Sequence, residues 1–290
     1  MYQNLRLFED KTMKLKIAYQ GVAGAYSHIS SQEAFPGAEY VACDSFETAM
    51  DLVNKNVVDY AVIPVENSNA GRVADVHFLL PNSGLAIVGE HFLRVEHQLL
   101  AYPGAALEDI RYAVSHPQAL AQCSDFLKKH NIKAVARIDT AKSCESIKED
   151  KPKDKAAIAS KLAGEIYGLN ILASNIENAS NNTTRFLIMS RKGVLPEDDG
   201  SCFITSLVFK VRNIPAALYK ALGGFATNGI NMTKIESYLL DGKFVSAQFY
   251  VEVESHPARK SYKNAIEELK FFSEEVHILG TYKTDKFRKN

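Results

Sequence analysis

The sequence predicts an α/β protein in two parts: a two-lobed unit with a central cleft, then a smaller α+β unit of ferredoxin-like βαββαβ order. Three observations carry this. Short apolar runs alternate with helical periods from Lys16 to Met189. A cluster of Gly, Pro and acidic residues at 193–200 (GVLPEDDG) then reads as a linker. Beyond it the order becomes strand, helix, two strands, helix, strand.

In the first part, strands are expected at Lys16–Tyr19, Tyr60–Val65, Leu85–Val88, Tyr112–Val114, Ala134–Ala136 and Ala156–Ala159. Helices are expected at Ala25–Phe35, Phe46–Asn54, Gln118–His130 and Leu162–Tyr167. Phe46, Ala49, Met50 and Val53 recur at helical spacing behind Asp44-Ser45, a good N-cap. Most strands are apolar throughout rather than alternating, which suggests a sheet covered on both faces. The stretch Leu85–Tyr102 reads either as one long strand with a charged middle or as two strands meeting near Glu96. Crossings between lobes are expected near 93–97 and 178–184. The mixed-charge run Lys148–Lys155 is expected to be an exposed loop.

In the second part, Cys202–Val211 reads as a strand, and Pro215–Asn228 as a helix with Pro215 in its first turn and Gly229 as its stop. Ile230–Leu239 and Lys243–Val253 flank Asp241-Gly242, a hairpin signal. Ala258–Phe272 completes the helices and Val276–Thr281 the strands. The expected domains are 14–192 and 201–285. Glu267, Glu268, Glu274 and Glu275 read as a solvated face.

Composition narrows the function. The 290 residues are 46% hydrophobic and 23% charged, as in an ordinary globular protein. With 34 basic and 34 acidic residues and no basic block, nucleic acid is not an expected partner. No apolar run reaches the roughly 18 residues needed to span a bilayer, so no membrane partner is expected. Met1–Met13 lacks an apolar signal region or transit-peptide character, and Met13 reads as an alternative start. Cys43, Cys123, Cys144 and Cys202 show no CxxC spacing and read as buried free thiols of a cytoplasmic protein.

Four polar islands look like neutral donors gathered around a small anion. They are Tyr19-Gln20-Gly21 with Gly24-Ala25-Tyr26-Ser27, Glu66-Asn67-Ser68, Ser115-His116-Pro117-Gln118, and Asn182-Thr183-Thr184-Arg185-Phe186. The first is a Gly-rich strand-to-helix turn, equally read as an anion cradle or as a plain corner. It is neither GxGxxG nor a GKS/T loop, which disfavours nucleotides. Asn67 and Ser68 follow a strand, where open sheets present ligand groups, or else simply cap a turn. His116 reads as a structural group at a helix start rather than a base. No HExxH or other ligand spacing predicts a metal, and no GxSxG predicts a serine hydrolase.

These islands, with Asp139-Thr140-Ala141 and the AAIAS run at 156–160, resemble the monofunctional prephenate dehydratases over nearly all of Lys16–Tyr282. The resemblance implies a two-lobed, periplasmic-binding-protein-like catalytic domain followed by an ACT domain. It implies loss of water and carbon dioxide from prephenate, giving phenylpyruvate, without a cofactor. It also implies Thr184, Asn67 and Gln118 as the catalytic set. Ser68, Ser115, Arg185, Phe186, Gly24 and Ala25 are the expected substrate contacts. Arg185 reads equally as part of an ion pair that fixes the loop.

The ACT region departs from the family pattern in two places. Ala216-Ala217-Leu218 stands where a Gly usually precedes Ala-Leu, and Glu236-Ser237-Tyr238-Leu239 replaces Glu-Ser-Arg-Pro. Ala216, Ala217, Leu218, Glu236 and Ser237 are the expected contacts for an L-phenylalanine effector, set in a homodimer or homotetramer. Two rival readings stand beside this one: the same chemistry on arogenate, and a silent amino-acid sensor.

Overall fold

A computed structural model describes residues 14–239 and 247–289. The chain divides into two compact units. One runs through Ala74 and resumes over His91–Phe186; the other takes Asp75–Glu90 and the chain from Leu187 onward.

The first unit opens with β1 (Lys16–Gln20), α1 (Tyr26–Ala34), β2 (Glu39–Cys43), α2 (Phe46–Asn54), β3 (Tyr60–Asn67) and β4 (Gly71–Arg72). β1 pairs in parallel with β2 and with β3. Helix α2 forms as its spacing predicts: the Ser45 hydroxyl accepts the Thr48 N–H at 3.1 Å, and Ala49, Met50 and Val53 are buried. The second unit takes nearly all of α3 (Ala74–Leu79) and the start of β5 (Ala86–Arg94), and β6 (Gln98–Ala101) starts beyond Val95–His97. The ambiguous Leu85–Tyr102 stretch is therefore two strands.

β6 enters a second lobe of the first unit with β7 (Tyr112–Ser115), α4 (Pro117–Gln122), α5 (Ser124–Lys129) and β8 (Lys133–Ala136). It continues through α6 (Thr140–Asp150), β9 (Lys155–Ala159), α7 (Lys161–Tyr167) and β10 (Asn170–Ala173). The strand order is β10-β6-β9-β7-β8. Its apolar strands serve two cores. Leu99, Ala113 and Ile158 pack with Leu120 and Leu127 on one face. Leu100, Val114 and Ala157 pack with Cys144, Ile147 and Ala163 on the other. Each large aliphatic side chain so buried contributes about 1.5–3 kcal/mol, which is why these strands read as unbroken apolar runs. The chain returns through β11 (Thr183–Ser190), giving the first sheet the order β2-β1-β3-β11-β5 with β4 against β3.

The second unit contains β12 (Phe203–Val211), α8 (Ala217–Thr227), β13 (Met232–Leu239), β14 (Ala247–Val253), α9 (Lys260–Phe272) and β15 (Ser273–Lys283). The order β13-β14-β12-β15 is that of a ferredoxin-like α+β sheet. Leu207, Phe209 and Val251 meet Phe225, Ala265 and Leu269 in its core. The linker is tied down rather than loose. Arg259 donates twice to Asp198, at 2.9 and 2.7 Å, holding that carboxyl down at about 2. Glu90 and Glu252 are buried, and Arg288 donates to both.

Several expectations are corrected. The helix expected at Gln118–His130 is two helices meeting at Cys123, whose φ of −110° and ψ of 14° leave the helical range. Lys148–Asp150 is not loop but the end of α6, which stops at Lys151 in the left-handed conformation. Pro215 lies ahead of α8 rather than in its first turn. The reason is Ala216, whose φ of +59° is incompatible with helix continuation. Cys202 is exposed, unlike the other three thiols, because it precedes β12. The sequence reading missed β2, α6 and β10 altogether. Asp241-Gly242 and Met1–Met13 lie outside the described residues.

Candidate functional site

A cavity of about 270 Å³ lies within the first unit. Both lobes and the segments joining them supply its walls, including Tyr26, Asn67, His97, Gln118, Gln122 and Thr184. No lysine or arginine lines it among the described residues.

One hydrogen-bond chain orders these groups, and its polarity can be read from the backbone outward. The Asn69 and Ala70 N–H groups both donate to Asn67 Oδ1 at 3.0 Å. That fixes the amide, so Nδ2 donates to Asn182 Oδ1 at 2.8 Å and to Thr184 Oγ1 at 2.9 Å. With its oxygen accepting, Asn182 turns Nδ2 to Gln122 Oε1 at 3.1 Å. His97 Nε2 sits 2.9 Å from the same oxygen and so must carry the proton. In the neutral ring, His97 Nδ1 is then an acceptor, 2.8 Å from the Tyr26 hydroxyl. Burial favours that neutral form by lowering the His97 pKa, against the smaller opposing pulls of Gln122 and the Glu177 carboxylate. Tyr26 also lies 2.9 Å from the Glu96 carbonyl, so its single hydrogen has two acceptors. Burial holds its hydroxyl well above the usual phenol value.

The consequence falls on Thr184. Its oxygen accepts from Asn67, and its own hydrogen has no acceptor among the described residues. The hydroxyl is therefore a donor available to whatever fills the cavity.

The family model described as prephenate dehydratase matches residues 17–194. The chain belongs to the prephenate dehydratase family. A Komagataeibacter europaeus protein named bifunctional N-acyl-homoserine lactone acylase/prephenate dehydratase is 46% identical over 273 residues, spanning 94% of this chain and 97% of the relative. Arogenate dehydratase 2 of Petunia hybrida is 42% identical, covering 94% of this chain and 72% of its own. Among solved structures, a prephenate dehydratase from Arthrobacter aurescens in complex with L-Phe matches with a TM-score of 0.85 and 30% identity, covering 93% and 90% of the two chains.

Against this prephenate dehydratase frame, the expected site residues separate. Asn67, Gln118 and Thr184 line the cavity together. Ser68 instead ties its own loop to β11: its hydroxyl donates to the Asn181 carbonyl and accepts the Thr183 N–H, both at 3.0 Å. Ser115 is fully buried, its hydroxyl donating to the Ile158 carbonyl at 2.6 Å. Phe186 is a core residue. Arg185 is buried, with one guanidinium nitrogen 4.0 Å from Glu66 and its plane over the Phe92 ring. Gly24 and Ala25 meet the second lobe: Ala25 packs with Leu100 and Val114, and the Gly24 carbonyl accepts the Ser160 hydroxyl at 2.6 Å. A Cβ on Gly24 would fall 2.6 Å from the Ala163 Cα, and its φ of +87° is one that glycine tolerates. His116 caps α4, its Nδ1 accepting the Gln118 N–H at 3.2 Å.

Sequence reasoning missed His97, Gln122 and Asn182 as site groups. Asn182 stood beside the recognised Thr184, and Gln122 follows Gln118 by one helical turn, so position gave a signal. His97 lay beside Glu96 in the crossing expected at 93–97, so its position gave a signal too.

Proposed function

We propose that the cavity carries out the decarboxylating dehydration of prephenate to phenylpyruvate, in aromatic amino acid biosynthesis. The chain is a hydro-lyase by family. In this reaction the ring C–C bond to the carboxylate breaks and carbon dioxide departs. Its electron pair completes the aromatic ring and expels the ring hydroxyl, which needs a proton or a hydrogen bond to leave as water. Aromatisation supplies the driving force, so the protein's task is to orient the ring and assist the leaving oxygen. A cation clamped on the departing carboxylate would resist its loss; this cavity has no lysine or arginine in its described lining.

The observation that carries this reading is the Asn67–Thr184 hydrogen bond, which leaves the Thr184 proton facing outward from its own partner. A threonine is a weak acid near neutral pH, so Thr184 donates a hydrogen bond to the leaving oxygen rather than transferring its proton outright. Gln118 lines the same cavity and would orient the substrate. The acylase half of the Komagataeibacter protein's name asks for an activated nucleophile. An oxygen that accepts an amide hydrogen bond is a poorer nucleophile, which favours the dehydratase reading. Incubating purified protein with prephenate and following phenylpyruvate tests it; no product from prephenate or from arogenate would end it.

The finer assignments extend this reading. Residues 14–192 would form the catalytic domain and 201–285 an ACT domain, for which the order β13-β14-β12-β15 is the support. The Arthrobacter complex supports L-phenylalanine as its ligand. Ala216 precedes α8, which Ala217 and Leu218 open, and Glu236 and Ser237 lie on β13. Titration calorimetry with phenylalanine, together with sedimentation to find a dimer or tetramer, tests both points.

A further inference from the structure

We propose that Asp139 recognises a cationic amine on the substrate side chain, biasing the site toward arogenate over the keto acid prephenate. This rests on the dehydratase reading of the same cavity. Asp139 lines that cavity. Its Oδ1 caps α6, accepting the Ala141 and Lys142 N–H groups at 2.7 and 3.0 Å. Its Oδ2 has neither a hydrogen bond nor a cationic partner among the described residues. The residue is half-buried, so solvent screens it only in part.

The surroundings do not neutralise it. No lysine or arginine shares the cavity lining among the described residues. Both ring nitrogens of His97 are engaged, with Gln122 and Tyr26. His116 Nδ1 is engaged by the Gln118 N–H at 3.2 Å. A lone carboxylate therefore faces a guest that carries two carboxylates in either form. The two substrates differ at one group, an ammonium in arogenate and a keto oxygen in prephenate. The ammonium can donate to Oδ2, whereas the keto oxygen offers only lone pairs to a negative acceptor. The carboxylate thus both attracts one substrate and repels the other, the two halves of discrimination.

Asp139→Asn separates this role from helix capping, because asparagine caps as well as aspartate. The measurement is kcat/KM on arogenate and on prephenate for the wild type, Asp139→Asn and Asp139→Ser. We expect the arogenate-to-prephenate ratio to fall by about tenfold or more in both variants, the size of one charge-assisted hydrogen bond. A smaller change in the ratio overturns the proposal, including equal losses on both substrates, which assign Asp139 to capping alone. A wild type inactive on both substrates would instead refute the dehydratase reading itself.

Discussion

Asn67 and Thr184 are joined by a 2.9 Å hydrogen bond whose direction is fixed two and three residues downstream, where backbone N–H groups of Asn69 and Ala70 hold the Asn67 oxygen. Thr184 is thereby kept as an acceptor toward the protein and a donor toward the cavity. The functional reading follows from that asymmetry.

Replacing Thr184 tests the donor itself. Thr184→Ser keeps the hydroxyl and should retain kcat within about tenfold, whereas Thr184→Ala should lose about 100-fold or more. Steady-state rates on prephenate and arogenate decide; an alanine variant of equal rate would remove Thr184 from the chemistry.

Asn67→Asp tests the orientation. The variant keeps an oxygen for the Asn69 and Ala70 N–H groups but replaces the amide donor with an acceptor facing Thr184 Oγ1. The Thr184 hydroxyl would then turn its hydrogen inward. We expect kcat to drop about 100-fold with the native circular dichroism retained. A variant of near-native kcat would mean that the direction of this bond is immaterial.

Acid should weaken the fold through two imidazoles, one buried and one half-buried. Burial lowers the pKa of both His28 and His97. A histidine depressed in the folded state binds fewer protons there than in the unfolded chain. Its contribution is therefore complete above the ordinary value of about 6.5 and is lost as pH falls through the lowered folded value. The urea midpoint should decline between about pH 7 and 5, and His97→Gln should flatten that decline. Parallel curves for the two proteins would show that His97 takes no part in it.

At the start of α8, Ala216 holds a φ of +59°. The left-handed conformation costs an L-residue about 1–2 kcal/mol, and glycine escapes it at the expense of some unfolded-state entropy. Ala216→Gly should stabilise the protein by about 0.5–1 kcal/mol, seen as a higher melting temperature. A lower one would mean that the methyl group packs usefully.

Much of the fold was legible because burial imposes periods. The spacing of Phe46, Ala49, Met50 and Val53 gave α2 its observed bounds, and the apolar runs gave β1, β3, β5, β7, β8 and β9. Where the reading failed, a local backbone event intervened that no period records. Ala216 displaced the start of α8, and Cys123 split one expected helix in two. α6 was missed because its exposed face is dense with charge, and the run beginning at Lys148 passed for a loop.

The sequence alone determined most of the elements, the two-part chain and the places of the polar islands, because side-chain size and polarity at 2.0 and 3.6 residue periods are local properties. Only the tertiary structure decided which of those groups form the site. Asn67 and Asn182 are 115 positions apart, yet their contact carries the polarity fixed by the Asn69 and Ala70 amides on to Gln122 and His97. Ser115 and Phe186, polar-island members on paper, went instead to a carbonyl of β9 and to the core. A hydrogen bond takes its direction from the partner on each side, and those partners exist only once distant strands have come together.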